Sequence, residues 1–498
     1  MSLAFVATRA EWGLSAPAVV VEVHLSPGLP AFSIVGLPEN TVKEARERVR
    51  SALLNSFFDW PDHRITVNLS PADLPKAGGR YDLPIALGIL VASGQLPASI
   101  LTGREFFAEL SLNAQLRPVG GQLSAALTAT LAGRICVVAE TNVEQLACVP
   151  QIEVIAAADL LTLIARLKQA NVFSPLTSPG ASQPPLNHHF HTLKGQLAGK
   201  HALEIAASGG HHLLLSGPPG AGKSLLAKGL ASLLPPVDHA MYLEQLQLRD
   251  LVNLPNHHRT EIPCRAPHHS ATIAALIGGG RRAQPGEVSL AHGGVLFLDE
   301  IAEFPRVVLD TLRQPLENGT VTVSRAKGSF TYPAAFQLIA AMNPCPCGYF
   351  GDRYIRCRCT PENTRRYQQR LSGPLLDRID LHVNVERTAT EELLSVTTSE
   401  ERHFEAMRTR VAASRASQIK RQGCINAALT GEDLLRECGL SCTDKSWLQQ
   451  ALDTLHVSAR GAHRCLRVAR TLADMSQSNR VERQHLAEAL SFRAESHG

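Results

Sequence analysis

Gly217-Pro-Pro-Gly-Ala-Gly-Lys-Ser224 directly follows the apolar run Leu213-Leu-Leu215, and this junction is the most informative feature of the sequence. The order predicts a buried strand, a glycine-rich turn and a helix that opens at Lys223. It matches the phosphate-binding loop, in which glycines let backbone N–H groups turn toward phosphate oxygens. Lys223 supplies charge for the β- and γ-phosphates, Ser224 supplies a hydroxyl for Mg²⁺, and the helix directs its positive end at the anion. We therefore predict a nucleotide site formed by Gly217, Pro218, Pro219, Gly220, Ala221, Gly222, Lys223, Ser224 and Leu225. The alternative is a chance glycine-rich turn.

Length and composition limit the class of protein. A chain of 498 residues is long enough for several domains, because one core seldom grows beyond about 250–300 residues. Its 44% hydrophobic and 19% charged residues are typical of a soluble globular protein. The formal net charge of +4 is too small to indicate a polyanionic partner, so any basic surface must be local.

The sequence also predicts a cytoplasmic protein with no membrane partner. No apolar run reaches the roughly 18 residues that cross a membrane, and the opening Met-Ser-Leu-Ala-Phe lacks the features of a signal peptide. Eleven cysteines, an odd number without a secretion signal, indicate reduced thiols in a cytosol.

A second motif that suits a nucleotide is Val295-Leu-Phe-Leu-Asp299-Glu300. A parallel strand buried on both faces reads as continuous hydrophobicity, and its carboxyl end faces the ligand crevice. We expect Asp299 to hold Mg²⁺ through water and Glu300 to polarise the attacking water. The alternative is an ordinary strand followed by an acidic turn.

Another apolar run ends in an amide, at Gln337-Leu-Ile-Ala-Ala-Met-Asn343. Asn343 could orient water against the γ-phosphate. Taken alone this signal is weak, because strands often end in Asn for reasons of turn geometry.

Two close cysteine pairs follow, Cys345-Pro-Cys347 and Cys357-Arg-Cys359. Four thiolates in a short loop suit tetrahedral Zn²⁺. We predict a structural zinc site that stiffens the chain after Asn343, and the alternative is four free cysteines in a loop.

Two loops carry local basic charge. The run from Asn318 to Tyr332 alternates as a β-hairpin, with Arg325 and Lys327 near its tip. A second loop, from Pro267 to Arg282, ends in Gly-Gly-Gly-Arg281-Arg282. Basic tips suit sequence-independent contact with a nucleic-acid backbone, so Arg325, Lys327, Arg281 and Arg282 are candidate DNA contacts. The alternative for both is an exposed polar loop.

Residues 1–168 alternate strands, at 19–25 and 65–69, with helices, at 41–54 and 83–92. Two stretches, Pro75-Lys-Ala-Gly-Gly-Arg-Tyr-Asp-Leu-Pro84 and Leu116-Arg-Pro-Val-Gly-Gly121, resemble the Lon-type protease fold. Active relatives carry a nucleophilic Ser after the first stretch and a Lys after the second. Here those places read Arg80-Tyr-Asp82 and Gln122-Leu-Ser-Ala-Ala126, so we expect an inactive α+β domain that is structural or contacts DNA.

The rest of the chain divides into a linker at 169–191, a core at 192–388 and a helical region at 389–498. The linker is rich in Pro, Ser and Thr, and an exposed linker does not favour metal binding by His188, His189 and His191. Beyond it, helices are predicted at 400–422, 431–438, 443–455 and 461–477.

The core resembles AAA+ ATPases, which implies ATP as the nucleotide, an α/β phosphate-loop domain and a helical lid. The resemblance implies that Leu193-Lys-Gly-Gln196 and the helix at 200–207 lie beside the adenine, and that Asn343 is the sensor-1 residue.

Leu371-Ser-Gly-Pro-Leu-Leu-Asp-Arg378-Ile-Asp380 resembles the arginine-finger segment of the AAA+ group that contains magnesium-chelatase subunits and replicative helicases. Arg378 would then reach the neighbouring subunit's γ-phosphate, which implies a ring, expected to be a hexamer. The alternative is a structural Arg378–Asp380 ion pair.

Ser458-Ala-Arg460-Gly-Ala-His-Arg464 resembles the sensor-2 segment. Arg460 fits best, and Arg464 is the alternative. For either arginine, the remaining alternative is a solvated basic helix face.

Three runs together resemble the ComM/YifB family, which is magnesium-chelatase-like: Arg265-Ala-Pro-His-His-Ser270, Pro285-Gly-Glu-Val-Ser-Leu-Ala-His-Gly-Gly-Val295 and Asn343-Pro-Cys-Pro-Cys-Gly348. The resemblance covers almost the whole chain. It implies a hexameric ATP-driven motor that promotes branch migration on single-stranded or branched DNA in natural transformation, together with other recombination proteins. The rival hypotheses are a motor subunit for magnesium insertion into a porphyrin and an ATP-dependent protein remodeller.

Overall fold

The computed structural model describes residues 2–169, 174–175, 195–280, 283–325, 328–387 and 399–494, and of residues 174–175, 399–401 and 494 the backbone only. Nearly all of the predicted linker, with His188, His189 and His191, lies outside the described residues. Among the described residues, none of the helices is both long and apolar enough to span a bilayer.

The N-terminal part of the chain is a layered α/β unit. Its strands are β1 (Ser2–Arg9), β2 (Ala18–Ser26), β3 (Ala31–Val35), β4 (Arg64–Ser70), β5 (Arg104–Phe107), β6 (Glu109–Leu110), β7 (Leu116–Arg117), β8 (Ile135–Ala139), β9 (Glu153–Ala157) and β10 (Ser174–Pro175). Its helices are α1 (Asn40–Lys43), α2 (Ala45–Asn55), α3 (Asp82–Ala92), α4 (Gln122–Leu131), α5 (Val143–Leu146) and α6 (Leu160–Lys168).

Two four-stranded sheets enclose helix α3, in the orders β1-β2-β4-β3 and β10-β9-β8-β5. Along β2, Val19, Val21 and Val23 are buried and alternate with more exposed residues, which is the pattern of a half-buried strand. These valines pack toward α3, which is buried nearly all round because α2 and β5 cover its other sides. Both predicted strands of this unit are confirmed, whereas the helix predicted at 41–54 is interrupted at Glu44.

The two glycine-rich stretches of this unit meet in space. The buried Arg80 side chain donates a hydrogen bond to the carbonyl of Gly120 and pairs with Glu11. Burial raises the pKa of Asp82 to about 7, and the adjacent Arg48, with Nε 2.6 Å from Oδ2, opposes that rise. The Arg80–Gly120 hydrogen bond joins the two stretches, and the Arg48–Asp82 pair ties the first of them to α2. The resemblance to the Lon-type fold stays a prediction.

The central part of the chain is built on a five-stranded parallel sheet. The nine described strands of this part are β11 (Leu213–Ser216), β12 (Cys264–Arg265), β13 (Gly278–Gly279), β14 (Gln284–Pro285), β15 (Val295–Leu298), β16 (Thr320–Arg325), β17 (Gly328–Pro333), β18 (Gln337–Met342) and β19 (Leu381–Asn384). Five of them form this sheet, and the other four form the pairs β13-β14 and β16-β17. The helices of this part are α7 (Leu197–Gly209), α8 (Lys223–Leu233), α9 (His239–Leu251), α10 (Ile273–Leu276), α11 (Glu287–Leu290), α12 (Arg306–Asp310), α13 (Arg313–Asn318), α14 (Pro361–Gln368) and α15 (Gly373–Leu376).

The order of the parallel sheet is β12-β15-β18-β11-β19. β11 lies between β18 and β19, with Leu213 opposite both Ile339 and Leu381. Apolar side chains bury β15 and β18 on both faces, as their continuous hydrophobic runs predict. The loops after β11, β15 and β18 therefore meet at one edge, at the point where ligands bind in open α/β sheets.

The C-terminal part is helical, as predicted. Its helices are α16 (Ser399–Gln422), α17 (Gly431–Cys438), α18 (Cys442–Thr454), α19 (Ala459–Met475) and α20 (Arg483–Ala494). They share one apolar core with α7 and α8, since Phe404, Val411 and Leu466 join the same buried cluster as Leu203 and Leu226. The helical region is thus packed directly on the nucleotide-motif side of the sheet.

Helix α9 joins the N-terminal unit to the central one. Leu246 of α9 is buried in a cluster of N-terminal residues. Asp250 of the same helix accepts a hydrogen bond from the N–H of Leu123 (2.8 Å), at the start of α4. Burial raises the pKa of Asp250, and this hydrogen bond to its carboxylate opposes the rise.

Candidate nucleotide site

The glycine-rich loop forms the turn that the sequence predicts, between β11 and α8. The N–H of Gly217 donates to the carbonyl of Met342 at the end of β18 (3.2 Å), and a Cβ at residue 217 would collide with the carbonyl of Val385. Gly220 and Gly222 have φ of +78° and +88°, which a residue with a Cβ rarely adopts. The backbone is therefore held open at the N-terminus of α8.

Lys223 lies across the inside of this loop. Its Nζ donates to the carbonyls of Gly217 (2.6 Å) and Pro218 (3.0 Å) and to Oδ1 of Asn343 (3.1 Å). Burial lowers the pKa of Lys223, and the nearby carboxylates of Asp299 and Glu300 oppose that shift. The ammonium group has weak neutral acceptors that phosphate oxygens would replace, so the loop and the end of β18 fit a bound phosphate chain.

Ser224 and Asp299 meet on the other side of Lys223. The Oγ of Ser224 donates to Oδ2 of Asp299 (2.6 Å), and the N–H of Glu300 donates to Oδ1 of the same carboxylate (3.0 Å). A hydroxyl and a carboxylate are oxygen ligands of the kind that Mg²⁺ prefers. Glu300 itself has φ of +50°, and its side chain is 55% exposed toward the open edge. The residues present therefore suit a magnesium-bound nucleotide with the exposed carboxylate of Glu300 beside it.

His269, which the sequence analysis placed in the second loop without a role at the nucleotide, faces Glu300. The Nδ1 of His269 lies 3.8 Å from Oε2 of Glu300, and its ring stacks on His268 with centroids 4.0 Å apart. The loop that begins here was predicted as a basic loop, and its first part lies at the nucleotide edge. No periodicity or spacing in the sequence indicates this contact, because it depends on how β12 pairs with β15.

Gln196 is a further residue beside the loop. Its Nε2 donates to the carbonyl of Ala221 (3.0 Å) and to the carbonyl of Glu386. The resemblance to AAA+ ATPases implies that this segment lies beside the adenine, and it gives Gln196 itself no role. The contact ties the start of α7 to the phosphate loop.

Arg378, the candidate finger, is directed into its own subunit. Its side chain is 10% exposed and pairs with Glu317, while Nη1 donates to the carbonyl of Pro374 (2.5 Å). The alternative ion pair with Asp380 is replaced by this pair with Glu317. Asp380 instead accepts a hydrogen bond from the backbone N–H of His212 (3.3 Å). Its Oδ2 also lies 3.4 Å from Nδ1 of His211.

The two sensor-2 candidates have different surroundings on α19. Nη1 of Arg464 lies 3.8 Å from Oδ1 of Asp380, and burial lowers the pKa of Arg464 to about 10. Arg460 lies one turn earlier and is exposed. Of the two, Arg460 is the side chain that a ligand can approach without breaking an internal contact.

The four clustered cysteines converge after Asn343. Their sulfur atoms all lie within 4.8 Å of one another, with Cys345–Cys347, Cys345–Cys357 and Cys347–Cys357 Sγ separations of 3.4, 3.7 and 3.6 Å. A tetrahedron of thiolates about 2.3 Å from Zn²⁺ has edges of about 3.8 Å, so the donor set fits this metal. Backbone N–H groups of Arg358 and Tyr349 lower the pKa of Cys347 to about 6. The cluster, completed by Cys359, could bind a metal ion.

The cysteine loop also contacts the phosphate loop. A Cβ at Gly348 would lie 2.6 Å from Cδ of Pro219, so only glycine lets the two loops approach this closely. A metal in the cluster would hold Gly348 against Pro219 and fix the route from Asn343 to α14.

The predicted hairpin is formed by β16 and β17, with Arg325 paired to Gly328 at its tip. Arg325 is exposed, and a Cβ at Gly279 would lie 2.5 Å from its Nη2, so its guanidinium lies on the β13 backbone. The hairpin and the second basic loop therefore meet. The other three candidate DNA contacts, Arg281, Arg282 and Lys327, lie outside the described residues.

Three models of known families match the chain. "Magnesium chelatase, subunit ChlI" covers residues 189–393, "Subunit ChlI of Mg-chelatase" covers residues 21–142, and "Magnesium chelatase, subunit ChlI C-terminal" covers residues 401–493. The matched regions include both the N-terminal unit and the helical region.

Several proteins are similar along nearly their whole length. "Uncharacterized protein YifB" of Salmonella typhimurium and its namesake in Escherichia coli are each 46% identical over 496 residues, which are 99% of this chain and 97% of theirs. "Competence protein ComM" of Haemophilus influenzae is 46% identical over 502 residues, which are 99% of this chain and 98% of that protein.

Proposed function

The chain belongs to the ComM/YifB family of magnesium-chelatase-like AAA+ proteins, and from this we propose that it is an ATP-hydrolysing ring motor that acts on DNA. The ring is a hexamer. Its reaction is branch migration while single-stranded DNA is integrated by homologous recombination in natural transformation. The partners are single-stranded or branched DNA, further copies of the chain and other recombination proteins. The competence protein of Haemophilus influenzae supports the biological setting by its name.

One observation carries the motor hypothesis: a single segment contacts both the nucleotide edge and the hairpin. At its start, His269 faces Glu300 at 3.8 Å. Further along, Gly279 lies under Arg325, and the carbonyl of Ala283 accepts the hydroxyl of Tyr332 (2.7 Å). A displacement of the hairpin by bound DNA would therefore move the chain that touches Glu300. Such a shared element is what coupling between two sites requires.

The residues have separate roles in the proposed ATPase. Lys223 and the loop N–H groups would bind the phosphates, and Ser224 and Asp299, which lie in contact, would hold Mg²⁺. When bound, Mg²⁺ would neutralise phosphate charge. Glu300 polarises the attacking water and Asn343 orients it. Arg378 acts on the neighbouring subunit's nucleotide, and Arg460 contacts the nucleotide of its own chain.

Zinc is the metal we propose for the cluster of Cys345, Cys347, Cys357 and Cys359. The support is the separation of the sulfur atoms, which fits a tetrahedral thiolate site. The role is structural, because the cluster supplies four protein ligands and leaves no position for a substrate.

A second candidate function is that of a magnesium-chelatase motor subunit, which the family models favour. In that case ATP hydrolysis would drive metal insertion by a separate catalytic subunit and would not respond to DNA. A protein remodeller would respond to unfolded protein.

One measurement separates these functions: the ATPase rate with no addition, with single-stranded DNA, with a three-way DNA junction and with an unfolded protein. We expect DNA to raise the rate and unfolded protein to leave it unchanged. A rate that ignores both DNA substrates would contradict the DNA motor. Lys223→Ala should abolish hydrolysis and unwinding with the fold intact, whereas Lys228→Ala, an exposed lysine on the same helix, should retain both.

A further inference from the structure

The N-terminal unit contacts the tip of the hairpin through the turn between β1 and β2. The ring of Trp12 packs on the ring of Phe330, with centroids 4.8 Å apart and planes tilted by 53°. A Cβ at Gly328 would lie 2.8 Å from Cζ2 of Trp12, and one at Gly13 would lie 3.0 Å from Cδ1 of Phe330. We call Trp12, Gly13, Gly328 and Phe330 the hairpin grip. Glycine at both positions is what allows so close an approach.

In the described part of the hairpin, one further contact lies near the tip, that of the Arg325 guanidinium with the backbone of Gly279. Nearer its base, Val321, Val323 and Tyr332 are buried in the core of the central sheet. The outer face of its described strands carries exposed hydroxyls, in the cross-strand pairs Thr322–Thr331 and Ser324–Ser329. A two-stranded hairpin is only marginally stable by itself in water. The position of Arg325 therefore depends on two contacts, its own with Gly279 and that of Trp12 with Gly328, its cross-strand partner.

The turn that carries Trp12 is fixed to the N-terminal unit on both sides. The N–H of Ala10 donates to the carbonyl of Pro17 (2.9 Å) and closes the turn. Just before it, Arg9 forms a buried bidentate ion pair with Glu105, with N–O distances of 2.6 and 2.9 Å. Within it, Glu11 pairs with the buried Arg80 at 3.1 Å. Trp12 is thus a rigid projection of the N-terminal unit.

We propose that Trp12 is a positioning residue for DNA binding: through the hairpin grip, the N-terminal unit holds the tip of the hairpin and the guanidinium of Arg325 where they meet single-stranded DNA. The inference rests on the proposed function, in which the hairpin contacts DNA. It gives the N-terminal unit a part in the motor, although this unit carries none of the candidate catalytic residues. Preorganisation of this kind raises affinity because the tip no longer has to be ordered on binding.

Tryptophan fluorescence tests the contact without altering the grip. The chain has three tryptophans, and the other two lie elsewhere: Trp60 beside Phe32, and Trp447 under the guanidinium of Arg483. In full-length protein with Trp60→Phe and Trp447→Phe, the emission of Trp12 should shift or quench when a single-stranded oligothymidine binds. The matched protein with Trp12→Phe and Trp447→Phe, which reports Trp60, should show no change. Binding is followed independently by anisotropy of a labelled oligothymidine.

The outcomes distinguish a failure of the hairpin grip from a failure of the proposed function. DNA binding without a change in Trp12 emission would overturn the grip and leave the proposed function standing. No DNA binding by the parent protein would overturn the proposed function and the grip with it.

Substitutions of Trp12 give a second readout. Trp12→Ala should raise the Kd for the oligothymidine about tenfold, because the tip is then ordered only on binding. It should also lower the ratio of the ATPase rate with DNA to the rate without it. Trp12→Phe should restore most of the affinity, since an aromatic ring can still pack on Phe330, and Trp60→Ala should bind as the parent does. Equal affinity of the Trp12→Ala variant and the parent would overturn the inference.

Discussion

Asn343 shows how a single side chain can tie the parts of this site together. Its Oδ1 accepts a hydrogen bond from Nζ of Lys223 at 3.1 Å, and it stands at the end of β18, next to the strand that carries the phosphate loop. The amide therefore lies where it can face a γ-phosphate held by Lys223. It is also two residues before Cys345, so any shift of the cysteine loop acts on it directly.

Removal of the Asn343 amide should slow hydrolysis more than it weakens nucleotide binding. Loss of one preorganised polar group at a reacting centre costs about a hundredfold in rate, so Asn343→Ala should lower kcat by about this factor. The affinity for ATP, measured with a fluorescent analogue, should change by less than about threefold because the phosphate loop is intact. Asn363→Ala, an exposed asparagine on α14, is the control and should keep the parental kcat. Parental kcat in Asn343→Ala would contradict the assigned role.

His212 couples the stability of the sheet to pH. Its Nδ1 accepts a hydrogen bond from the N–H of Leu338 (3.0 Å), which only an unprotonated Nδ1 can do. Burial lowers the pKa of His212 to about 4, although Asp380 opposes the shift. The folded state thus binds fewer protons than the unfolded state between about pH 6.5 and pH 4. This contribution to stability is complete above pH 6.5 and is lost as the pH falls toward 4.

The free energy of unfolding should accordingly fall on acidification. A histidine with pKa values of about 6.5 unfolded and about 4 folded contributes a loss of about 2 kcal/mol between pH 7.5 and pH 5. His212→Asn keeps a carbonyl acceptor and does not titrate, so urea unfolding should show a smaller difference between the two pH values. His239→Asn, at an exposed position on α9, should keep the parental difference. An unchanged pH dependence in His212→Asn would contradict this account.

At the scale of elements, the sequence predicted most of what lies along one strand or one helix. β11, β15 and β18 are continuous apolar runs, and their polar ends fall at the nucleotide edge because the strands are parallel. The hairpin followed from the strict alternation of its two strands, which pair from Thr320 with Pro333 to Arg325 with Gly328. These features depend on local hydrophobic periodicity, which can be recognised in a single sequence.

Contacts between distant elements were not predictable in the same way. The Trp12–Phe330 and His269–Glu300 contacts join residues far apart in the chain, and a lone aromatic or histidine in a loop carries no periodic signal. The pairing of Arg378 with Glu317 was also missed, because Asp380 is the nearer acid in sequence. Which acid pairs with Arg378 depends on how α13 packs on α15, and that is a tertiary property.

The cysteine loop should act as a metal clip on the phosphate loop. We expect about one equivalent of zinc by elemental analysis of the purified protein, and none in the Cys345→Ser, Cys357→Ser variant. Because Gly348 lies against Pro219, the variant should also bind ATP more weakly and melt at a lower temperature. Cys442→Ser, at an exposed cysteine of α18, should retain both zinc and affinity. A metal-free parent protein with full ATPase activity would exclude the clip.

At the scale of the whole molecule, the helical region and the central sheet share one core, and α9 packs the N-terminal unit onto the central one. The nucleotide edge is therefore connected by packed contacts to the helical region and to the N-terminal unit. In the proposed ring, the neighbouring subunit would supply Arg378, which in a single subunit is paired with Glu317 of its own chain.

Mixing two inactive variants tests whether Arg378 completes a neighbour's site. Lys223→Ala removes the phosphate contact and leaves Arg378, whereas Arg378→Ala removes the finger and leaves the phosphate loop. Each variant alone should hydrolyse ATP poorly. If Arg378 acts across the interface, random mixing in equal amounts makes about a quarter of the interfaces complete, and the ATPase activity should rise on mixing. If Arg378 serves only to pair with Glu317, no mixed interface contains a complete site, and the activity of the mixture should stay at the average of the two variants.

Glu317→Gln provides the control, because it removes the internal ion pair and keeps the finger. It should retain hydrolysis in an unmixed ring, with an unchanged or higher rate, since Arg378 is then easier to release toward the neighbouring nucleotide.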